Sequence, residues 1–235
     1  MNKNSKDSKD GKDGKYSKDS KDSKNSKDSK DSKDSKDSKD SKDFDFSKSA
    51  DSYDEGYAGK FSQRFYNLLL NEVKLDEGMR FLDVGCGTGA LLKKMCGKRN
   101  VDAYGIDAEE SMVAVATGQC PDYFIQQAKS EQIPFDDGYF DVLTACMAFH
   151  HFSDKDGFAR EAARVLKSGG ALYIADPKFP FLVRKIINGV ARLFRVTGEF
   201  LTAREIAGRF DEYGFEFSVA AYNGYAQVVK LTRRG

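Results

Sequence analysis

The run Phe81-Leu82-Asp83-Val84-Gly85-Cys86-Gly87-Thr88-Gly89 carries the clearest chemical signature in the chain. An apolar strand enters a loop with glycine at every second position, and a helix begins directly after it. Glycine there permits positive φ and lets a ligand approach the backbone without meeting a Cβ. The loop amides and the helix N-terminus form a donor-rich pocket, suited equally to a carboxylate or a phosphate. Gly85-x-Gly87-x-x-Ala90 also satisfies the dinucleotide pattern G-x-G-x-x-G/A, so two ligand classes compete for this loop. Asp83 separates them, because a carboxylate at the end of the strand holds a cationic group and repels a pyrophosphate. The run Tyr104-Gly105-Ile106-Asp107 then places a second acid 24 residues after Asp83, at the next strand tip. An acid there can take both hydroxyls of a ribose. Together these residues describe a pocket for an amino acid joined to a nucleoside.

A third strand tip reads Cys146-Met147-Ala148-Phe149-His150-His151-Phe152, and His150 and His151 are the only histidines among the 235 residues. Adjacent histidines facing a pocket are candidate general bases, since their pKa lies near neutrality. The plainer reading makes one a polar cap and the other a packing residue. The four cysteines, Cys86, Cys96, Cys120 and Cys146, form no C-x-x-C pair. They read as reduced cysteines of a cytoplasmic protein, and no metal site is expected.

These tips need a sheet to hold them. Apolar runs at Arg80–Val84, Val101–Ile106, Tyr123–Gln126, Phe140–Cys146 and Ala171–Ala175 alternate with helical patterns at Leu91–Cys96, Glu109–Thr117 and Gly157–Leu166. Strand and helix alternating at this spacing predict βαβ units on a parallel sheet. A leading helix is expected over Lys60–Lys74, and further helices over Phe181–Val196 and Thr202–Tyr213. The runs Phe215–Tyr222 and Ala226–Thr232 flank Asn223-Gly224, a strong hairpin signal, so the sheet should finish with an antiparallel edge pair. The expected fold is α/β, a Rossmann-like, mostly parallel seven-stranded sheet with helices on both faces. On Phe181–Val196, Val183, Ile186, Ile187, Val190, Leu193 and Phe194 share one arc, and Arg184, Lys185, Asn188, Arg192 and Arg195 the opposite one. The plain expectation is a helix packed on its own domain with a solvated basic face. Sharper alternatives are a lid over an apolar substrate or a peripheral contact with an anionic membrane surface.

Residues 1–43 differ in kind. A Ser-Lys-Asp tripeptide recurs there, with 14 Lys and 11 Asp giving a net charge of +3. A period of three fits neither helix nor strand, and the segment has almost no apolar surface to offset the entropy of ordering, so a disordered tail is expected. Residues 44–235 hold 24 Lys and Arg against 26 Asp and Glu, a net of −2. Neither value supports a nucleic-acid binder, which shows a clustered basic excess. No apolar run is long enough for a transmembrane segment.

Asp83–Gly89 resembles motif I of the class I S-adenosylmethionine-dependent methyltransferases, and Asp107 resembles their ribose-binding acid. Ile133-Pro134-Phe135-Asp136-Asp137-Gly138-Tyr139-Phe140-Asp141 is similar to the family's segment leading to strand four, and Leu166-Lys167-Ser168-Gly169-Gly170 to the turn before strand five. Phe46, Ala50, Tyr53 and Asp54 match a lead-in common in small-molecule members, and the overall likeness is to the ubiquinone/menaquinone-type group. The resemblance implies that S-adenosyl-L-methionine is the cofactor. Asp83 and the backbone of Gly85, Cys86, Gly87 and Gly89 would face its methionyl end, Asp107 its ribose, and Ala108 and Met112 its adenine. Tyr53 joins the cofactor side, and Cys146 and Met147 pass the transferable methyl group. Where the family often carries an acid toward the adenine amine, this chain has Lys129 followed by Ser130, whose backbone could serve instead.

The implied activity is in-line methyl transfer to a small, apolar or aromatic acceptor, a reaction that needs no enzyme nucleophile and so leaves none for Cys146. An NAD(P)-dependent oxidoreductase is opposed by Asp83 and by the absence of Lys four residues after Tyr104, Tyr139 or Tyr173. A catalytically silent cofactor-binding protein is the rival from outside the enzymes. The sequence is silent on oligomeric state and on the acceptor atom.

Overall fold

The computed structural model describes residues 56–97, 100–194 and 198–235. The repeat over 1–43, the Phe46–Asp54 lead-in with Tyr53, and Arg195 and Val196 lie outside the described residues. The elements are α1 (Tyr57–Glu72), β1 (Arg80–Val84), α2 (Ala90–Cys96), β2 (Asp102–Asp107), α3 (Glu110–Gln119), β3 (Phe124–Gln127) and β4 (Phe140–Cys146). They continue with α4 (Lys155–Val165), β5 (Leu166–Pro177), α5 (Phe181–Phe194), α6 (Ala203–Gly208), β6 (Phe215–Asn223) and β7 (Ala226–Arg233).

The seven strands form one sheet in the order β3-β2-β1-β4-β5-β7-β6. Pairing is parallel from β3 to β5, and β7 then runs antiparallel to both β5 and β6. This is the expected seven-stranded architecture with its antiparallel edge. Successive residues of β1 show why the layers form. Phe81 packs with Phe65, Leu69, Leu92 and Met95 of α1 and α2, whereas Leu82 joins Phe158, Val165 and Phe210 on the other face. Both faces of the central strands are covered, as an apolar run without alternation requires. Chain order reverses between β1 and β4, and that switch point is where open α/β sheets bind ligands, outside the carboxyl ends of their strands.

Four local expectations are corrected. β5 begins at Leu166 rather than Ala171: Leu166 pairs with Phe140, and pairing resumes at Ala171 with Val142. The expected turn is thus an excursion within the strand, where Gly169 takes φ +77°. The hairpin shifts by one residue, since Asn223 pairs with Ala226 and leaves Gly224 and Tyr225 as the loop. Of these two only Gly224 has positive φ, as a Gly-first two-residue turn demands. The helix expected over Thr202–Tyr213 breaks after a short α6, whose Thr202 and Glu205 form a reciprocal capping box. The break lets Phe210, fully buried, enter the core against Phe158 and Phe215.

The fourth concerns α5, in which no residue is buried. Part of its polar side is turned inward: Arg184 Nη1 donates to Glu205 Oε2 at 2.6 Å. The Asn188 amide clamps Phe200, donating to its carbonyl at 2.9 Å and accepting from its N–H at 3.0 Å. The segment beneath the helix presents backbone polar groups that need partners, so Arg184 and Asn188 face the protein beside the partly covered Ile187 and Ala191, while Lys185 and Arg192 are exposed. Of the apolar arc, Val183, Ile186, Val190, Leu193 and Phe194 stand in solvent and Ile187 is partly covered.

Candidate active site

A cavity of about 310 Å³ opens at the carboxyl ends of β1, β2 and β4. Its lining includes Asp83, Gly85, Cys86 and Gly87, then Asp107, Ala108 and Met112, and also Lys129, Ser130, Cys146, Met147 and His151. These candidates, distant in sequence, therefore meet in one place. Gly89 is not in that lining: it caps α2 at φ +80°, and a Cβ there would stand 3.0 Å from Cys120 Sγ, so it serves helix packing.

Asp83 is 1% exposed, and its Oδ1 accepts from Thr144 Oγ1 at 2.6 Å. Burial pushes its pKa up to about 7, the Thr144 hydrogen bond working against this and the charge of Asp107 with it. A carboxylate held at such a cost is poised to receive a cation. Asp107 is fixed differently, with Oδ2 accepting from the Gly87 N–H at 2.8 Å and Oδ1 from the Glu109 N–H at 2.9 Å. Burial raises its pKa, and those backbone donors pull it down. Each oxygen keeps a further lone pair, so the carboxylate can still accept from two hydroxyls.

Cys86 and Cys146 are neutral thiols. Burial and the charge of Asp83 hold both well above the ordinary thiol value, the reverse of what a nucleophile requires. Met147 is the only non-glycine with positive φ among the described residues, at 55°. Its N–H donates to Ala175 O at 2.8 Å, which ties the strained turn to β5 at the cavity wall.

The two histidines divide. His151 lines the cavity, whereas His150 lies behind it, 4% exposed, with Nδ1 hydrogen-bonded to Asp176 Oδ1 at 2.9 Å. The imidazoles are 4.0 Å apart between centroids, and His150 also stacks on Phe200 at 4.8 Å. Sequence reasoning passed over Asp176. Its signal was an acid just past the apolar run Ala171–Ala175, at the tip of the strand beside β4. The cavity also takes in Ser62 and Tyr66 of α1, and Phe152, none of which belongs to a glycine-rich or acidic motif.

Residues 82–174 match the family model described as a methyltransferase domain. An uncharacterized methyltransferase of Bacillus subtilis, YcgJ, is 32% identical over 157 residues, which is 63% of this chain and 60% of that protein. The demethylmenaquinone methyltransferase of Chlorobaculum tepidum is 35% identical over 101 residues, covering 43% of this chain and 42% of the relative. The matches thus span less than two thirds of both relatives. Over residues 82–174 the chain carries a methyltransferase domain of the S-adenosylmethionine-dependent type. The crystal structure of the B. subtilis protein shows the shared fold, with a TM-score of 0.62 at 20% identity over 74% of this chain and 99% of that one. The matched segment contains Asp83, Asp107 and His151, and stops within β5 before α5, α6 and the hairpin.

Proposed function

We propose that the protein transfers a methyl group from S-adenosylmethionine to a small apolar or aromatic acceptor. One observation carries this reading: a buried carboxylate, Asp83, whose charged neighbour is another acid, forms the wall of a cavity beside an open glycine loop. The cofactor answers each demand of that wall, with a cationic methionyl end, a ribose diol and a flat adenine. When bound, it supplies an electrophilic methyl group on sulfur.

The chain's residues then take the following parts. Asp83 and the backbone of Gly85 and Gly87 hold the methionyl end, Asp107 the ribose, Ala108 and Met112 the adenine, and the backbone of Lys129 and Ser130 its edge. Cys146 and Met147 border the methyl group. The resemblance assigns Tyr53 a part in cofactor binding as well, and residues 44–235 form the catalytic domain. Most of the rate comes from holding acceptor, methyl and sulfur in line and from excluding water. His151 removes a proton where the acceptor arrives protonated, and His150, fixed by Asp176, positions it. The apolar walls at Tyr66, Met147 and Phe152 favour an aromatic acceptor, in keeping with the demethylmenaquinone named for the Chlorobaculum relative.

Calorimetry with S-adenosylmethionine, its demethylated product and NADH tests the first half of this reading, and a screen of quinols, phenols and amines with methyl-labelled cofactor tests the second. Tight NADH binding without binding of the sulfonium would sink it. Asp176→Asn is expected to cost about 1.5–3 kcal/mol of stability, the worth of a buried hydrogen bond to a charged group. It should also lower turnover and alter its pH profile while sparing cofactor affinity. An unchanged profile would leave Asp176 a structural residue only.

A further inference from the structure

The outward side of α5 has no part in the site just described. At about 100° per residue, Leu182, Ile186, Val190 and Leu193 fall within about 80° of one another. Leu182, Ile186 and Leu193 are 71%, 67% and 76% exposed, values that mark the pole of the helix facing away from the protein. Such a stripe is disfavoured in water by roughly 25 cal/mol per Å².

Charge says what covers it. From Lys178 to Gly198 the sequence holds five cations, Lys178, Arg184, Lys185, Arg192 and Arg195, and no Asp or Glu. Arg184 is bound to Glu205, but Lys185 and Arg192 share one flank of the stripe and are exposed. The hairpin tip adjoins the start of the helix through Lys178 N–H to Tyr225 O, and there the exposed Tyr222 ring carries Lys178 Nζ at 4.2 Å. Apolar stripe, cationic flank and neighbouring tyrosine are the parts of a helix that lies in a lipid interface.

We propose that α5 docks flat on an anionic lipid surface, with the leucine stripe among the acyl chains and Lys185 and Arg192 at the level of the phosphates. Among the described residues no helix is long and apolar enough to cross a membrane, so the contact is peripheral. A second copy of the chain could cover the same stripe, but it would bring two cationic flanks together. This surface goes beyond the methyl-transfer reading and stands without it.

Flotation of the full chain with vesicles of phosphatidylcholine alone, and of phosphatidylcholine mixed equally with phosphatidylglycerol, tests the proposal. Binding is expected to the mixed vesicles only. Lys185→Gln with Arg192→Gln should weaken it about thirtyfold, at the usual worth of a cation near an anionic surface. Leu182→Ser with Leu193→Ser should abolish it without changing the melting temperature. Four results overturn the proposal: no binding to mixed vesicles; equal binding to both kinds; binding that neither variant pair reduces, which assigns it to the Lys-rich repeat; or a lowered melting temperature in the leucine pair, which means that the stripe packs within the chain. A dimer dissociated by the leucine pair, with no vesicle binding, assigns the face to a second copy and overturns it equally.

Discussion

Asp83→Asn is expected to stabilise the cofactor-free protein at pH 8 while weakening S-adenosylmethionine binding by about 1.5–3 kcal/mol, the range for a lost charged hydrogen bond. The sign follows from where the protons sit. Asp83 titrates near 7 in the folded protein and near 3.8 in an open chain. Below pH 3.8 both states hold the proton, and through the window up to about 7 the folded state keeps a proton that the unfolded state has lost. Stability therefore falls as pH rises across that window and levels off above it, by a total on the order of 4 kcal/mol. Asn carries no such penalty, can still accept from Thr144 Oγ1 through its carbonyl, and has the cavity for its amide N–H groups. Melting curves of both proteins from pH 5 to pH 8 should separate as pH rises, and calorimetry at pH 8 reads the lost affinity. If the Asn variant melts below the parent at pH 8 and binds cofactor equally well, Asp83 is an ordinary structural carboxylate.

The two glycines of the loop should fail in opposite ways. Both have positive φ, +73° at Gly85 and +54° at Gly87, so alanine costs each roughly 1–2 kcal/mol in the backbone. At Gly85 the new Cβ would lie 2.5 Å from Ala148 Cβ, and overpacking adds about 1–3 kcal/mol more. At Gly87, which lines the cavity, it would meet nothing within 4 Å. Gly85→Ala is therefore expected to lower the denaturant midpoint strongly. Gly87→Ala should fold with a modest loss and fail to bind cofactor. Retained affinity in folded Gly87→Ala would place the methionyl end elsewhere.

The alternation of strands with helices and the edge hairpin were legible because their signals are local: apolar runs ended by Gly and Asp, and a glycine at a two-residue turn. The acids at the tips of β1 and β2 were legible for the same reason. What escaped depends on neighbours distant in sequence. His150 and Asp176 look unrelated along the chain, and only the adjacency of β4 and β5 brings them within a hydrogen bond. For α5, a helical wheel tells which side is apolar but not which side faces inward. The polar requirements of Phe200 and Glu205, neither of them in the helix, decided that orientation. The loop residues of the hairpin moved by one for a related reason, since register belongs to the pair of strands and not to the turn alone.

The amide of Asn188 grips both backbone groups of Phe200, and the Phe200 ring rests on His150. This joins α5 to the wall behind the cavity through two hydrogen bonds and a ring stack. Linkage is reciprocal in free energy. Whatever engagement of α5 does to the setting of His150, a ligand that prefers that setting must return to α5 in equal measure. To the extent that both select one setting of His150, filling the cavity and engaging the helix form one linked equilibrium, and an affinity for either then carries the state of the other.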